Sequence, residues 1–85
     1  MSTKSLIKAF VIANFLKGDK LAALRDDSLF IEEGIIDSVG VLELVAFIEE
    51  TFNFRVEDEE LVPENLDSIA RLVKYVERKL ATTKP

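Results

Sequence analysis

One stretch of the chain has a sharply defined helical pattern, and it constrains the fold more than any other feature. From Ser38 to about Phe52, apolar side chains recur at the spacing that places them on one face of a helix. Asp37 stands directly before this stretch, where a carboxylate can accept hydrogen bonds from the first amides of a helix. The sequence therefore predicts a capped amphipathic helix with a buried stripe of Val41, Leu44, Val45, Ile48 and Phe52.

Two further segments carry helical patterns, one on each side of this helix. A first helix is predicted from Thr3 to Lys17, with Gly18 as its left-handed stop. A last helix is predicted from Asp67 or Ser68 to about Leu80. Pro63 suits the first position of a short helical turn, whereas residues 19–36 are too broken for a regular element and are predicted to form a long loop. The predicted fold is all-α, a four-helix bundle of three longer helices and one short helix.

The length and composition predict a single domain. The chain has 85 residues, of which 48% are hydrophobic and 32% are charged, as in an ordinary folded domain. We expect one core over about residues 3–80 and a frayed tail over 81–85. A chain of this size is too short to enclose a deep substrate cavity, so large ligands must be met at the surface.

The composition also excludes several classes of function. The chain contains no cysteine and no histidine, which removes the thiol nucleophile, the commonest general base and the commonest metal ligand. We therefore expect neither an enzyme nor a metal site. A formal charge of −5 disfavours nucleic-acid binding and attracts partners with basic patches. With no apolar run near the roughly 20 residues that span a bilayer and no signal-peptide pattern, we expect a cytoplasmic monomer without membrane contact.

Ser38 stands where the long loop meets the capped helix. Its hydroxyl is predicted to be exposed, and the free amides and dipole of a helix N-terminus favour a negatively charged substituent. It is a poor nucleophilic catalyst, because the chain holds no histidine to activate it. From these residues alone two interpretations stay open: Asp37 and Ser38 form an ordinary helix cap, or Ser38 carries a phosphate ester.

The face of this helix opposite its buried stripe is predicted to be a docking surface. It combines small exposed apolar groups with carboxylates, a mixture that suits a partner with a basic patch. Leu42 and Phe47 lie at its margins, and Phe47 is interpreted as either a packed residue or a partner contact. The other members of the face are Val39, Glu43, Ala46 and Glu50.

Three short motifs run through the loop and the capped helix: Gly34-x-x-Asp37-Ser38, Leu42-Glu43-Leu44 and Ile48-Glu49-Glu50-x-Phe52. In this context they resemble the acyl carrier protein family, and the similarity extends over nearly the whole domain. The resemblance implies an acyl-carrier-type bundle in which Ser38 receives 4′-phosphopantetheine from coenzyme A through a separate phosphopantetheinyl transferase. It further implies that the terminal thiol of this arm carries an acyl or aminoacyl group as a thioester.

The resemblance also implies which residues meet partner enzymes. These partners are the transferase, a ligase or synthetase that loads the acyl or aminoacyl group, and the downstream acyl-processing enzymes. The counterpart of Asp37 contributes to transferase recognition, and helix positions meet basic patches on the partners. Helical periodicity places Glu49 closer to the core than the others. The predicted recognition set comprises Asp37, Val39, Leu42, Glu43, Ala46, Glu49 and Glu50.

Several positions depart from particular subclasses of the family. Val39 stands where leucine is usual and Gly40 where fatty-acid carriers commonly have a polar residue, which weakens a housekeeping fatty-acid role. Peptidyl carriers usually have glycines directly before the serine, and this chain has Ile36-Asp37. The stretch from Glu32 to Gly40 is similar to D-alanyl carriers, and residues 63–68 are similar to free-standing carriers of specialised pathways. We expect a stand-alone specialised carrier, with fatty-acyl, polyketide and aminoacyl cargoes, including D-alanyl, left open.

Gly40 breaks the local helix preference and prompts a separate hypothesis. Its position between the buried stripe and the docking face would let a partner or the folded-back arm approach the backbone. Alanine there would then stabilise the fold by roughly 0.5–1 kcal/mol.

The sequence leaves two alternative functions to weigh and one acidic run to interpret. The main rival is an acidic helical interaction module without a prosthetic group. A hydrolase built on carboxylates alone is disfavoured, since no second acidic residue is paired with a credible cleft. The acidic run from Glu57 to Glu60 is interpreted as a solvated turn.

Overall fold

The computed structural model describes residues 2–15 and 24–82. Within these ranges there are four α-helices and no β-strand. A single 3-10 turn, Asp58–Glu60, lies between the second and third helices. The helices are α1 (Thr3–Phe15), α2 (Ser38–Phe52), α3 (Pro63–Leu66) and α4 (Ile69–Thr82). The predicted all-α fold with three longer helices and one short helix is confirmed.

The helix boundaries agree with the sequence where the signals are local. Helix α2 spans the predicted residues, and α3 begins with Pro63 at its first turn. Helix α4 begins at Ile69 because Ser68 is its cap, and the Ser68 hydroxyl accepts a hydrogen bond from the amide of Arg71 at 3.1 Å. The predicted end of α1 at Lys17 and its stop at Gly18 lie outside the described residues.

The C-terminal helix is longer than predicted. The tail was expected to fray from Ala81, but Ala81 and Thr82 are helical, and residues 83–85 lie outside the described part of the chain. The Thr82 hydroxyl donates to the carbonyl of Lys79 at 3.1 Å. Between Ile69 and Pro85 the sequence has no glycine or proline that would end the helix earlier.

The core lies where α4 packs against α1 and α2. On α2 the predicted stripe is only partly confirmed: Leu44 and Ile48 are fully buried, whereas Val41, Val45 and Phe52 are half-buried at its edges. Helix α4 buries Ile69, Leu72 and Val76, while Val73 and Leu80 are half-buried; it also buries Tyr75, which was not predicted as core. The buried apolar residues are Ile7, Val11, Phe30, Ile36, Leu44, Ile48, Phe54, Val56, Leu66, Ile69, Leu72, Tyr75 and Val76.

The loop between α1 and α2 is fastened to the body at its described end, residues 24–37. Phe30 is fully buried, and its amide donates to the carbonyl of Asp67 at 2.9 Å. The amide of Ala70 donates to the carbonyl of Asp26 at 2.8 Å, so the backbone joins the loop once to α4 and once to the residue that follows α3. The Asp26 carboxylate also pairs with Lys4 on α1. Phe30 therefore anchors this part of the loop to the core.

The connection after α2 alternates between buried and exposed side chains. Asn53 follows the last residue of α2, adopts the left-handed conformation with φ of 60° and donates its amide to the carbonyl of Glu49. Phe54 and Val56 are buried while Arg55 between them is exposed. This extended segment carries the chain to the 3-10 turn beneath α4.

Candidate functional site

Ser38 is the first residue of α2, and its side chain is exposed. The preceding residue, Asp37, is extended, with φ of −92° and ψ of −178°, and its Oδ1 accepts a hydrogen bond from the amide of Gly40 at 2.7 Å. The predicted cap is thereby confirmed. Ser38 itself is exposed, and its hydroxyl forms no hydrogen bond with any residue in 2–15 or 24–82.

A rigid anchor directly before Ser38 fixes its position. Ile36, two residues earlier, is only 2% exposed, and its amide donates to the carbonyl of Phe30 at 3.2 Å. Gly34 takes φ of +72°, a conformation that lets the loop turn back towards α2 and that L side chains rarely adopt. The loop therefore presents Ser38 at the surface from a buried support.

The electrostatics of this position suit an anionic ester. In the described structure the amides of Ser38 and Val39 donate to no protein acceptor, whereas the Gly40 amide is taken by Asp37. Unpaired amides and the dipole at the start of a helix stabilise negative charge. A phosphate ester on the Ser38 hydroxyl would lie beside these groups, so the residues present fit a phosphorylated prosthetic group.

The other serines are engaged elsewhere. Ser28 and Ser68 are 0% and 2% exposed, and each hydroxyl accepts a backbone amide, which confirms them as turn and cap residues. Ser2 and Ser5 are exposed, but their hydroxyls lie 2.9 Å apart and bond to each other. Among the serines, Ser38 alone therefore has an exposed hydroxyl without a hydrogen-bond partner in the part of the chain that the structure describes.

The hypothesis that Gly40 leaves backbone open to a partner is wrong. Gly40 is buried, and a Cβ at this position would lie 2.7 Å from Ile36 Cγ2 and 2.9 Å from Phe15 Cε1. Side chains of α1 and the loop fill the space that a partner or arm was expected to enter. Gly40 is therefore present for close packing of α2 against α1, near the N-terminal end of the helix.

The predicted docking face of α2 is exposed for most of its members. Val39 and Leu42 are 67% and 64% exposed, which is unusual for apolar side chains of this size on a folded domain. Glu43, Ala46 and Glu50 are exposed beside them. This surface thus combines an apolar patch with two carboxylates, as expected for a site that meets basic partners.

Two residues at the margins of the face contact the fold itself. Phe47 is half-buried and stacks on Phe10 with ring centroids 4.1 Å apart, so it packs against α1. Glu49 is half-buried, and its Oε2 accepts a hydrogen bond from the amide of Val56 at 2.8 Å. The carboxylate of Glu49 therefore holds the connection after α2, and a role in partner recognition stays a prediction for this residue.

An apolar groove, which was not predicted from the sequence, begins one helical turn beyond Ser38. The groove has a volume of about 250 Å³ and lies between α2, the loop and the segment before α3. The available signal was the apolar pair Leu61-Val62 within an otherwise acidic turn. Its apolar lining includes the aliphatic side chains of Ile31, Val41, Leu42, Leu61, Val62 and Leu66.

Two kinds of site do not occur in the described residues. No group of three or more aspartate and glutamate side chains in this part of the chain is arranged to hold a metal ion. None of the helices described is long and apolar enough to cross a membrane.

Comparison with known proteins decides the family. Residues 12–76 match the family described as "Phosphopantetheine attachment site". The chain belongs to this family of phosphopantetheine carriers. An acyl carrier protein of Akkermansia muciniphila is 41% identical over 63 residues, which cover 74% of this chain and 72% of that protein.

Carriers of a second kind are similar as well. A D-alanyl carrier protein of Abiotrophia defectiva is 34% identical over 50 residues, 59% of this chain and 63% of that protein. A D-alanyl carrier protein of Streptococcus pyogenes serotype M1 is 30% identical over 59 residues, 69% of this chain and 73% of that protein. The resemblance to acyl carrier proteins and the expected phosphopantetheine cofactor are confirmed. As a phosphopantetheine carrier, the protein holds a cargo for other enzymes and is not itself an enzyme.

Proposed function

We propose that Ser38 is the residue to which the carrier's 4′-phosphopantetheine is attached. The observation that carries this proposal is the exposed hydroxyl of Ser38, free of protein hydrogen bonds, at the head of a capped helix with two unpaired amides. The chain contributes the acceptor hydroxyl and an electrostatic setting for the phosphate. The base that removes the Ser38 proton has to come from the transferase, because the chain contains no histidine.

The chain's own residues have limited and separable roles in this function. When attached, the prosthetic group supplies the thiol that the chain, having no cysteine, does not provide. Asp37 holds the first turn of α2 through Gly40, and Ile36 fixes the approach of the loop. Together they keep Ser38 in one place at the surface for successive partner enzymes.

The attachment site is tested by intact mass measurement. The protein is co-expressed with a phosphopantetheinyl transferase and compared with Ser38→Ala and with Ser5→Ala, which removes another exposed hydroxyl at the protein surface. We expect the mass increase in the wild type and in Ser5→Ala, and none in Ser38→Ala, which should keep its helical circular dichroism. A full mass increase in Ser38→Ala would place the prosthetic group elsewhere and refute the proposal.

The partner surface is proposed to be the exposed face of α2. Val39 and Leu42 supply apolar contact, and Glu43 and Glu50 supply charge around it. Such a surface fits the transferase and loading enzymes if each presents an apolar contact rimmed by basic residues. We place the protein in the cytoplasm, since transfer from coenzyme A requires that cofactor and the transferase in the same compartment.

For the cargo we propose an acyl group with an apolar chain. The groove next to the head of α2 supports this choice, because its walls are apolar and an apolar chain would gain free energy by leaving water there. An alanyl group has too little apolar surface to gain comparably. Similarity to acyl and to D-alanyl carrier proteins is compatible with either cargo.

The two cargoes are distinguished by loading the arm with each in turn. Octanoyl and D-alanyl forms are prepared, and the methyl resonances of Leu61 and Val62 are compared by NMR with those of the unloaded carrier. We expect the octanoyl group to shift these methyls and the D-alanyl group to leave them unchanged. If neither cargo shifts them, the groove does not take the acyl chain and the proposed cargo class is wrong.

A further inference from the structure

One wall of the apolar groove belongs to a segment that the core does not hold. Between Val56 and Leu66, both of which are buried, no side chain is buried. Leu61 and Val62, which form the wall, are 40% and 36% exposed. Segments with few buried apolar contacts open at low free-energy cost unless other interactions restrain them. The position of residues 57–65 therefore depends on polar contacts.

Glu60 makes the most extensive of these polar contacts. Its Oε1 accepts hydrogen bonds from the Tyr75 hydroxyl at 2.8 Å and from Lys79 Nζ at 3.0 Å, and its side chain also accepts the amide of Glu57 at 2.9 Å. Lys79 reaches Oε2 as well, at 3.2 Å. One carboxylate thus joins the start of the wall to two residues of α4. The expected solvated turn is wrong at this residue, which is half-buried, though Glu57, Asp58 and Glu59 are exposed.

The two donors from α4 are themselves held by the core. Tyr75 is 1% exposed and meets the ring of Phe54 edge-on, with centroids 5.9 Å apart. The side chain of Lys79 is 16% exposed, and its ammonium lies 5.6 Å from the centre of the same ring. Glu60 is therefore bound to fixed partners, since neither donor can follow the segment if it moves away.

The remaining ties of the segment are at the surface and are weaker. Arg78 donates to Asn65 Oδ1 at 3.0 Å, and Arg71 donates to the carbonyl of Pro63 at 3.3 Å. Both arginines are exposed, and exposed polar pairs contribute little to stability. Asn65 also donates to the backbone carbonyl of Glu60 at 2.9 Å, which links the wall to Glu60 rather than to α4.

We propose that Glu60 is a positioning residue for the apolar groove, which it shapes by holding the wall of Leu61 and Val62 against Tyr75 and Lys79 of α4. When these hydrogen bonds are absent, the wall moves away from α2 while the three longer helices stay packed. The inference goes beyond the proposed attachment at Ser38. It depends only on the groove's geometry and can be tested on the unmodified protein.

Hydrogen exchange at single amides tests this proposal. The amides of Leu61, Val62 and Asn65 are hydrogen-bonded within the segment, so their exchange reports its opening. The amide of Leu72, bonded to Ser68 in the fully buried part of α4, reports opening of the core. Glu60→Gln keeps the side chain's size, but it removes the negative charge and replaces the Oε2 acceptor, which Lys79 reaches, by a donating NH2 group. Glu59→Gln removes the same charge from an exposed neighbour and is the matched control.

In Glu60→Gln we expect the segment amides to exchange about tenfold faster, the change associated with losing a hydrogen bond to a charged group. The Leu72 amide should accelerate much less, and Glu59→Gln should leave all four amides unchanged. Equal acceleration of segment and core amides would show that Glu60 only adds global stability and would overturn the proposal. So would an equal effect of Glu59→Gln, or no effect of Glu60→Gln.

A second variant keeps the test decisive if Glu60→Gln does not fold. Lys79→Met removes the ammonium group and keeps an apolar stem over the ring of Phe54. The same segment amides should exchange severalfold faster than in the wild type, again without equal acceleration at Leu72. Unchanged exchange of Leu61 and Val62 in this folded variant would show that the contact with α4 does not hold the wall.

Discussion

Replacing Gly40 by alanine is expected to destabilise the protein, the opposite of what helix propensity alone predicts. The added Cβ would lie 2.7 Å from Ile36 Cγ2 and 2.9 Å from Phe15 Cε1, distances that force atoms to shift. Ile36 is 2% exposed and cannot move into solvent. The Asp37 carboxylate, which caps the helix, is also close, at 3.3 Å from the new carbon.

The size of the effect follows from two opposing contributions. Overpacking a well-filled core costs about 1–3 kcal/mol, and two carbon contacts below 3.0 Å place this site in the upper part of that range. Replacing glycine by alanine within a helix returns about 1 kcal/mol. The free energy of unfolding should therefore fall by about 1–2 kcal/mol, which for a domain of this size lowers Tm by roughly 4–16 °C.

Urea unfolding followed by circular dichroism measures this change. Ala46→Gly is the matched control, because Ala46 is exposed on the same helix and its replacement isolates the propensity contribution of about 1 kcal/mol. The packing cost at Gly40 is the loss measured for Gly40→Ala plus the loss measured for Ala46→Gly. If Gly40→Ala is as stable as the wild type or more stable, the Cβ is accommodated and the packing argument fails.

Three further outcomes are expected. Charge reversal of Glu43 and Glu50 should slow loading by the transferase several-fold at low salt and by less at high salt, because exposed charges are screened over about 10 Å at 0.1 M. Charge reversal of the exposed Glu77 on α4 is the control. A loss of loading rate that does not depend on salt would contradict electrostatic steering of the transferase. Burial, and then the hydrogen bond to Glu60, raise the pKa of Tyr75 above its ordinary 10.0. The stability that the protonated Tyr75 contributes below pH 10 should therefore be lost as the pH rises through its pKa in the folded protein. Since the chain has one tyrosine, phenolate absorbance reads this group alone, and ionisation at its ordinary pKa in the folded protein would contradict the burial. Hydrogen bonds from the Glu57 amide, and then from Lys79 and Tyr75, hold the pKa of Glu60 below its ordinary 4.5. The stability that this group contributes above pH 4.5 should therefore be lost as the pH falls through its pKa in the folded protein. If a Glu60→Gln variant loses as much stability in acid as the wild type, this expectation is refuted.

Local signals predicted the N-terminal end of α2 correctly. The carboxylate of Asp37 caps a helix that begins at the next residue, and its bond to Gly40 spans only three residues. Such a cap is decided by neighbours in the sequence, so periodicity and residue type are enough to find it.

Contacts between distant parts of the chain were not predictable in the same way. The space around Gly40 is filled by Phe15 of α1, which nothing near Gly40 in the sequence reveals. Tyr75 is buried because its hydroxyl finds Glu60, 15 residues away, as a partner. The groove likewise needs the loop at Ile31 and the turn at Leu61 to meet across α2. Each of these features depends on how the helices pack, which the pattern of a single segment does not contain.

The parts of the structure on either side of Ser38, the proposed attachment residue, are held by different interactions, and this difference matters for a carrier. On one side, Ile36 and Gly40 pack into the core, where small displacements are costly. On the other, Leu61 and Val62 are held through Glu60 by hydrogen bonds at a half-buried site, which can be exchanged for bonds to water. If Ser38 carries the arm, as we propose, the carrier must present it in the same place to every partner, yet its groove has to accept changing cargo or partner surfaces. Packing supplies the first property and polar contacts the second, so the groove wall can adjust without moving Ser38.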